Sequence, residues 1–250
     1  MKRPTPNADL DAQIQRIVDL AHPDPHAVLG IHPDGDGVVV RAFRPDAQSV
    51  TILPDFGGRL PALHRRGGVF EARLNNRSEL FGYLVEVAYP GGATFTLRDP
   101  YGFPPTVGEL DSHLVVEGRH ERIWERLGAH PRHFMNVAGT SFAVWAPTAR
   151  SVSVVGDFNS WDGRLHAMRS IGSTGVWELF VPEIGPGTRY KFEIRPGSGG
   201  PRLLKADPYA FRAEIPPQTA SIVHDLGRYR WGDEAWMAAR AASDPLARPL

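Results

Sequence analysis

The second half of this chain repeats the first, in order. RAFRPDAQSVTIL at 41–53 lies over VWAPTARSVSVVG at 144–156, so that Pro45 meets Pro147, Ala47 meets Ala149 and Val50 meets Val152 at one constant shift. GVFEARL then matches GVWELFV, YLVEVAYPGG matches YKFEIRPGSGG, and RDPYGF at 98–103 matches ADPYAF at 206–211. The shift grows by a few residues along the way, as loop insertions produce. A repeat of this length is a duplicated domain and not a solenoid. Whatever one half folds into, the other must fold into as well.

The repeated segments are short and alternate apolar with polar residues. GVVVRAF, SVTIL, GVFEARL, GYLVEVAY and ATFTLR in the first copy, and SFAVWA, SVSVVG, GVWELFV and RYKFEIR in the second, are each bounded by Gly, Pro, Asp or Asn. That punctuation belongs to strands of a sandwich, and the abundance of Gly (26) and Pro (23) suits it. Leu10, Ile14, Ile17 and Val18 recur at helical spacing, predicting a short amphipathic helix from residue 9 to about 20 that Pro23 and Pro25 stop. A second helical stretch, RHERIWERLGAH, is predicted over about 119–130, and a short terminal helix in YRWGDEAWMAAR. The fold class is therefore all-β: two tandem immunoglobulin-like β-sandwiches with short connecting and terminal helices.

Charge narrows the partners. Lys plus Arg and Asp plus Glu both number 28 among 250 residues, so the chain has no electrostatic footprint for nucleic acid or an anionic membrane. Cys is absent, which fits a reducing compartment. No signal-peptide or membrane-spanning run is visible, and the reading is cytoplasmic. His22 and His26 stand four apart, but Pro23 and Pro25 prevent the helix that would align them as metal ligands. No metal and no cofactor is expected; His22, Asp24 and His26 instead hydrogen-bond the opening turn of the first sandwich, with His32 close by and His130 just after the second helical stretch.

The stretch VVGDFNSWDGR at 154–164 raises the functional question, because turn residues there carry Phe158 and Trp161. Either the rings fold back as core, or they form a platform on which a flat ligand stacks. FAVWAPTARSVSVVGDFNSWDGR, GVWELFVPEIGPGTRYKFEI and KADPYA together resemble a family-48 carbohydrate-binding module. With HPDPHAVLGIH at 22–32 and ERLGAHP at 125–131, the whole chain from about residue 20 is similar to the amino-terminal region of bacterial 1,4-α-glucan (glycogen) branching enzymes.

That resemblance implies an N-terminal helix at 1–21, a first sandwich at 22–117, a helical connector at 118–137, a second sandwich at 138–226 and a tail at 227–250 leading to a catalytic barrel. It implies glycogen or maltooligosaccharides as partner, with Trp161 stacking on the apolar face of a pyranose and Asn159 and Lys191 meeting its hydroxyls. Glucan-binding members carry a second Trp after the YKF strand, where this chain has RPGSGGPRLLK. Glycosyl transfer needs paired carboxyls, which the family sets in a (β/α)₈ barrel of about 250 residues. No barrel motif, nucleophile elbow or phosphate loop is present, so no catalytic residue is expected and the partner is the parent's own barrel. A stand-alone glucan-binding or scaffold protein, or the amino-terminal part of a debranching or trehalose-forming relative, stays open as an alternative. In the tail, Trp231, Trp236 and Met237 either pack on the second sandwich or expose at least one indole as a docking surface.

Overall fold

The computed structural model describes residues 6–242, and antiparallel strands dominate it. After helix α1 (Pro6–Val18) come β1 (Gly30–Asp34), β2 (Gly37–Phe43), β3 (Ser49–Pro54), β4 (Leu60–Arg66), β5 (Val69–Leu74), β6 (Tyr83–Ala88) and β7 (Thr94–Arg98). They form one sheet in the order β1-β2-β5-β4-β3-β6-β7. The sheet folds on itself at β4, where the register slips between His64 and Arg66. Alternation then brings Val38, Val40 and Ala42 of β2 and Phe70 and Ala72 of β5 against Val50 and Ile52 of β3 and Val85 and Val87 of β6. This is the core of the first sandwich.

The second sandwich keeps the strand order but divides into two sheets. Its strands are β8 (Gly128–Phe134), β9 (Val137–Trp145), β10 (Ala149–Gly156), β11 (Arg169–Ser170), β12 (Val176–Pro182), β13 (Arg189–Pro196), β14 (Leu203–Lys205) and β15 (Ser221–Ile222). One sheet runs β11-β12-β9-β8 and the other β10-β13-β14, with β15 also on β13. The strand that folds the first sheet over has shrunk here to β11 and a single bridge between Ser153 and Ala167. Two helices complete the described chain, α2 (Glu109–Val116) and α3 (Glu234–Ala241), and no described helix is long and apolar enough to cross a membrane.

The duplication reaches into side-chain chemistry. Tyr83 donates its hydroxyl to Asp99 (2.7 Å) and Tyr190 donates to Asp207 (2.5 Å). The second oxygen of each aspartate accepts the backbone N–H two residues on, from Tyr101 and Tyr209. Leu-Gly-X-His-Pro opens both copies, and the imidazoles of His32 and His130 sit 2.8 and 2.9 Å from the Leu29 and Leu127 carbonyls. In each, the glycine (φ +90° at Gly30, +103° at Gly128) runs against the tyrosine carbonyl of the Asp-Pro-Tyr turn, where a Cβ would come within 2.3 or 3.0 Å of the oxygen. Only glycine fits.

The helix expected over 119–130 is not formed. Residues 123–125 make one 3-10 turn, α2 lies earlier, and β8 begins at Gly128. Ile123, Trp124 and Leu127 have helical spacing, but the pairing of β8 with β9 along its whole length outweighs it. Pro131, like Pro33 in β1, is tolerated because both strands lie at a sheet edge.

The two sandwiches share a continuous core. Ile14, Ile17, Leu20, Leu29, Phe43, Val69 and Tyr101 cluster with Phe142, Val152, Val154, Leu179 and Tyr190. Strand β2 is buried at every position because its second face lies under α1. Leu20 and Pro23 carbonyls accept from Ser151 Oγ (2.6 Å) and Ser170 N (2.7 Å). The Tyr101 hydroxyl meets both the N–H (3.0 Å) and the carbonyl (3.3 Å) of Ala167. Beyond it, Phe103 packs on Phe180 at 4.8 Å, and Thr106 donates its N–H (3.1 Å) and hydroxyl (2.7 Å) to Glu178. The other oxygen of Glu178, which is fully buried, takes Arg169, whose guanidinium also donates to the Phe103 carbonyl (2.9 Å).

Removing one partner of a buried pair strands the other charge at a cost of about 3–5 kcal/mol. Glu178→Ala is therefore expected to lower the urea midpoint sharply, while Arg169→Met combined with Glu178→Leu recovers most of the loss. A Glu178→Ala protein as stable as wild type would contradict the arrangement.

Candidate functional site

Strand β10 ends at Gly156 and the chain turns through Asp157–Asn159 over the outer face of the β10-β13-β14 sheet. The two rings of this turn part company. Phe158 folds back, stacking on Phe142 at 6.1 Å and meeting His166 edge-on at 5.2 Å. Trp161 stays partly exposed, with its indole N–H donated to Asp157 Oδ1 (3.2 Å).

Asn159 works inside the loop. It is buried, its Oδ1 accepts from Gly156 N (2.9 Å), and its Nδ2 lies 3.0 Å from both the Val154 carbonyl and His166 Nδ1. Its polar groups face the loop interior and not a ligand; it fixes the turn that presents Trp161. Burial pushes the His166 imidazole down to about 3, so the ring is neutral, and a neutral ring can accept at Nδ1 from the Asn159 amide.

Lys191 lies on β13 between the inward-facing Tyr190 and Phe192, so it points to the outer face. Its ammonium donates to Thr219 Oγ1 (2.7 Å). Two neighbours on the same face tie the loop down on either side of it. Arg189 holds Asp157 through Nε (2.8 Å) and a terminal nitrogen (3.1 Å), and these bonds keep that carboxyl below its usual range. Glu193 lies directly under Gly163, where a Cβ would come within 2.7 Å of the carboxyl carbon. Arg195 (2.9 Å) and Arg202 (3.0 Å) neutralise Glu193. The loop that carries Trp161 is thus anchored to β13 at Arg189 and Glu193, on either side of Lys191.

Ser160 (φ +52°) and Trp161 (φ +62°) are both left-handed. For a bulky residue such a conformation costs on the order of 1–3 kcal/mol and survives only where surrounding contacts impose it. Here Asn159, Asp157 and the Glu193 seat impose it. Leu204 pairs with Glu193 and so projects to the same outer face, about half exposed. It occupies the hairpin that carries no second aromatic ring, and nothing in the repeat marks it. The Asp157–Arg189 pair is signalled in the sequence only by an acid four residues before a tryptophan.

Among the described residues no cluster has the composition of a metal site. His22 Nδ1 accepts the Asp24 N–H (3.1 Å) and Asp24 accepts the His26 N–H (3.1 Å), as the opening turn requires. The His26 ring itself has no hydrogen-bond partner and packs edge-on to Tyr101 at 5.1 Å. Burial lowers it to about 2, so its 3.8 Å approach to Asp24 is not an ion pair. In the tail, Trp231 (72% exposed) and Trp236 (59% exposed) both face solvent. The alternative of packing on the second sandwich is thereby excluded.

Residues 10–101 match the family described as alpha-1,4-glucan branching enzyme GlgB, N-terminal domain, and residues 126–210 match carbohydrate-binding module 48 (isoamylase N-terminal domain). The chain is 67% identical over 241 residues to 1,4-alpha-glucan branching enzyme GlgB of Myxococcus xanthus, covering 96% of this chain and 33% of that protein. It is 50% identical over 248 residues to GlgB 1 of Streptomyces coelicolor, covering 99% and 31%. The chain thus spans about a third of the length of these curated relatives. A pullulanase from Anoxybacillus sp. LM18-11 aligns over 81% of this chain and 28% of its own, at 16% identity and a TM-score of 0.35.

His26 and His166 bind protons in the unfolded chain near pH 6.5 but not in the folded one until about 2 and 3. Their folded values are lowered, so their contribution is full above pH 6.5 and is lost as pH falls below it. Unfolding free energy is expected to drop by about 1 kcal/mol per pH unit for each ring between about pH 6.5 and pH 5. Urea titrations should show this slope, and His26→Phe should flatten it; an unchanged slope in that variant would count against the buried neutral ring.

Proposed function

We propose, from the premise that this chain belongs with the amino-terminal regions of the bacterial 1,4-alpha-glucan branching enzymes, that it is a non-catalytic pair of modules which positions α-1,4-glucan chains and supports a branching barrel. The observation that carries the glucan reading is Trp161, half-buried in a left-handed backbone on a loop anchored to β13 on either side of Lys191. A pyranose offers an apolar face to an indole and a rim of hydroxyls to donors. Lys191 keeps two of its three N–H donors after bonding Thr219. Leu204 supplies apolar surface on the same face in place of a second ring. Asn159 serves this platform from within. The domain limits follow the same reading, with the connector shortened because β8 is already a strand of the second sandwich: a first sandwich over 22–117, a connector over 118–127 and a second sandwich over 128–226, in the cytoplasm.

Support of a barrel is the reading for the tail. Tyr229, Trp231, Trp236 and Met237 expose large apolar side chains within a short segment, and Tyr229 meets Trp231 edge-on at 4.9 Å. Such a patch marks an interaction surface.

Electrophoresis through gels with and without glycogen tests the platform. Trp161→Ala is expected to lose about 1 kcal/mol, roughly a fivefold loss of affinity, and equal retardation of the two proteins would reject it. The 250-residue chain alone is expected to form no α-1,6 linkages on amylose, judged by iodine staining and chain-length analysis; any new branches would overturn the non-catalytic reading.

A further inference from the structure

A cleft of about 570 Å³ lies between the sandwiches and borders the loop that carries Trp161, without including Trp161 or Lys191. One wall is the hairpin β6–β7 with Tyr89 and Phe95; the other is the loop after β10 with Phe158 and Leu165. Phe95 pairs directly with Val87, which lies in the first core, so alternation aims it inward. Because β7 is the edge strand, nothing covers that position, and Phe95 remains 57% exposed in the cleft.

Arg44 lies in the wall of this cleft and is only 4% exposed. Its one recorded bond runs from a terminal nitrogen to the Phe43 carbonyl (3.2 Å), and its Nε has no partner. Among the described residues no carboxylate lies within ion-pair distance of it. A buried guanidinium with a free donor is costly unless something completes it. The other charges of the cleft are already engaged: Asp46 and Asp162 hold Arg164 (2.5 and 2.7 Å), and Glu183 holds Arg98 (3.3 Å). Two of these pairs, Asp46–Arg164 and Arg98–Glu183, span the sandwiches and set the width of the opening.

We propose that this cleft is a second carbohydrate site, taking a short neutral α-glucan segment that stacks on Phe95 and sets its hydroxyls against the Asp46, Asp162 and Glu183 carboxylates, with the Arg44 guanidinium in the wall behind. The volume is that of an ordinary small-ligand site. The charge pattern selects a neutral ligand. Asp46, Asp162 and Glu183 are paired with Arg164 and Arg98, so the opening presents no cluster of unpaired charge for an ion, whereas hydroxyls can donate to the remaining lone pairs of these carboxylates. The choice of glucan among neutral polyols rests on the function proposed above. Cleft and platform share the loop after β10, but Phe95 belongs to the first alone and Lys191 to the second alone, so the two fail separately.

Hydrogen exchange of the full chain with and without maltoheptaose separates them. The edge amides of β7 make residues 89–98, together with 181–184, the reporters of the cleft; residues 189–193 and 203–205 report the platform, since the loop at 158–166 borders both. Slowed exchange at 89–98 and 181–184 is expected in wild type, retained in Trp161→Ala and lost in Phe95→Ala, whose exposed side chain leaves the fold intact. Protection confined to the platform would overturn the cleft and leave the platform standing. Protection confined to the cleft would do the reverse, and none at either would reject both. Protection of the cleft by inorganic phosphate but not by maltoheptaose would also overturn the neutral-ligand assignment.

Discussion

A buried carboxylate must be completed, and the way each copy completes its own determines how the molecule is put together. Glu71 and Glu178 occupy the same place in the repeat, on the strand face turned away from the sandwich core. Glu71 is surrounded by Arg41 (2.7 Å), Arg73 (3.0 Å) and Arg65 (3.2 Å), and Arg65 reaches on to Asp11 of α1 at 3.2 Å. Its acid therefore brings the opening helix down on the first sandwich, and the three arginines lower its carboxyl below the usual range despite burial. Glu178 has Arg169 on one oxygen and Thr106 on the other. Thr106 belongs to the segment leaving the first sandwich, so this acid draws the linker across the second. One repeated residue thus recruits two different covers.

Much of this arrangement is legible in the chain itself. Strands β2, β3, β5 to β7, β9, β10, β12 and β13 follow from period-two alternation between turn residues, and the matching order of the halves gives the tandem architecture. Strands β1, β4 and β8 were not legible. Each carries a proline or a run of His, Arg and Leu without alternation, and each is specified by a neighbour rather than by its own pattern. The helix expected at 119–130 fails for the same reason, since only tertiary pairing shows that Gly128 starts a strand.

Trp161, Asn159 and Lys191 were named by residue type and by resemblance, without a face for any of them; alternation turns Lys191 outward on β13, and the Trp161 indole bonds Asp157. The same reasoning could not separate Asn159 from them, because an amide that caps a turn and an amide that meets a sugar look alike in sequence. Arg44 lay inside the repeated RAFRP segment and was invisible as a polar residue of interest until burial showed its donor unmet.

The shared core carries a consequence for modularity. Ile14, Ile17, Leu29 and Tyr101 pack in the same cluster as Phe142, Val152 and Leu179, so neither sandwich owns a complete interior. A second sandwich excised at the linker would leave the Ala167 backbone groups without the Tyr101 hydroxyl and Glu178 without Thr106. Swapping one half alone into another protein would transplant a wound as well as a domain. The portable unit, for engineering or for recombination, is the pair together with its opening helix.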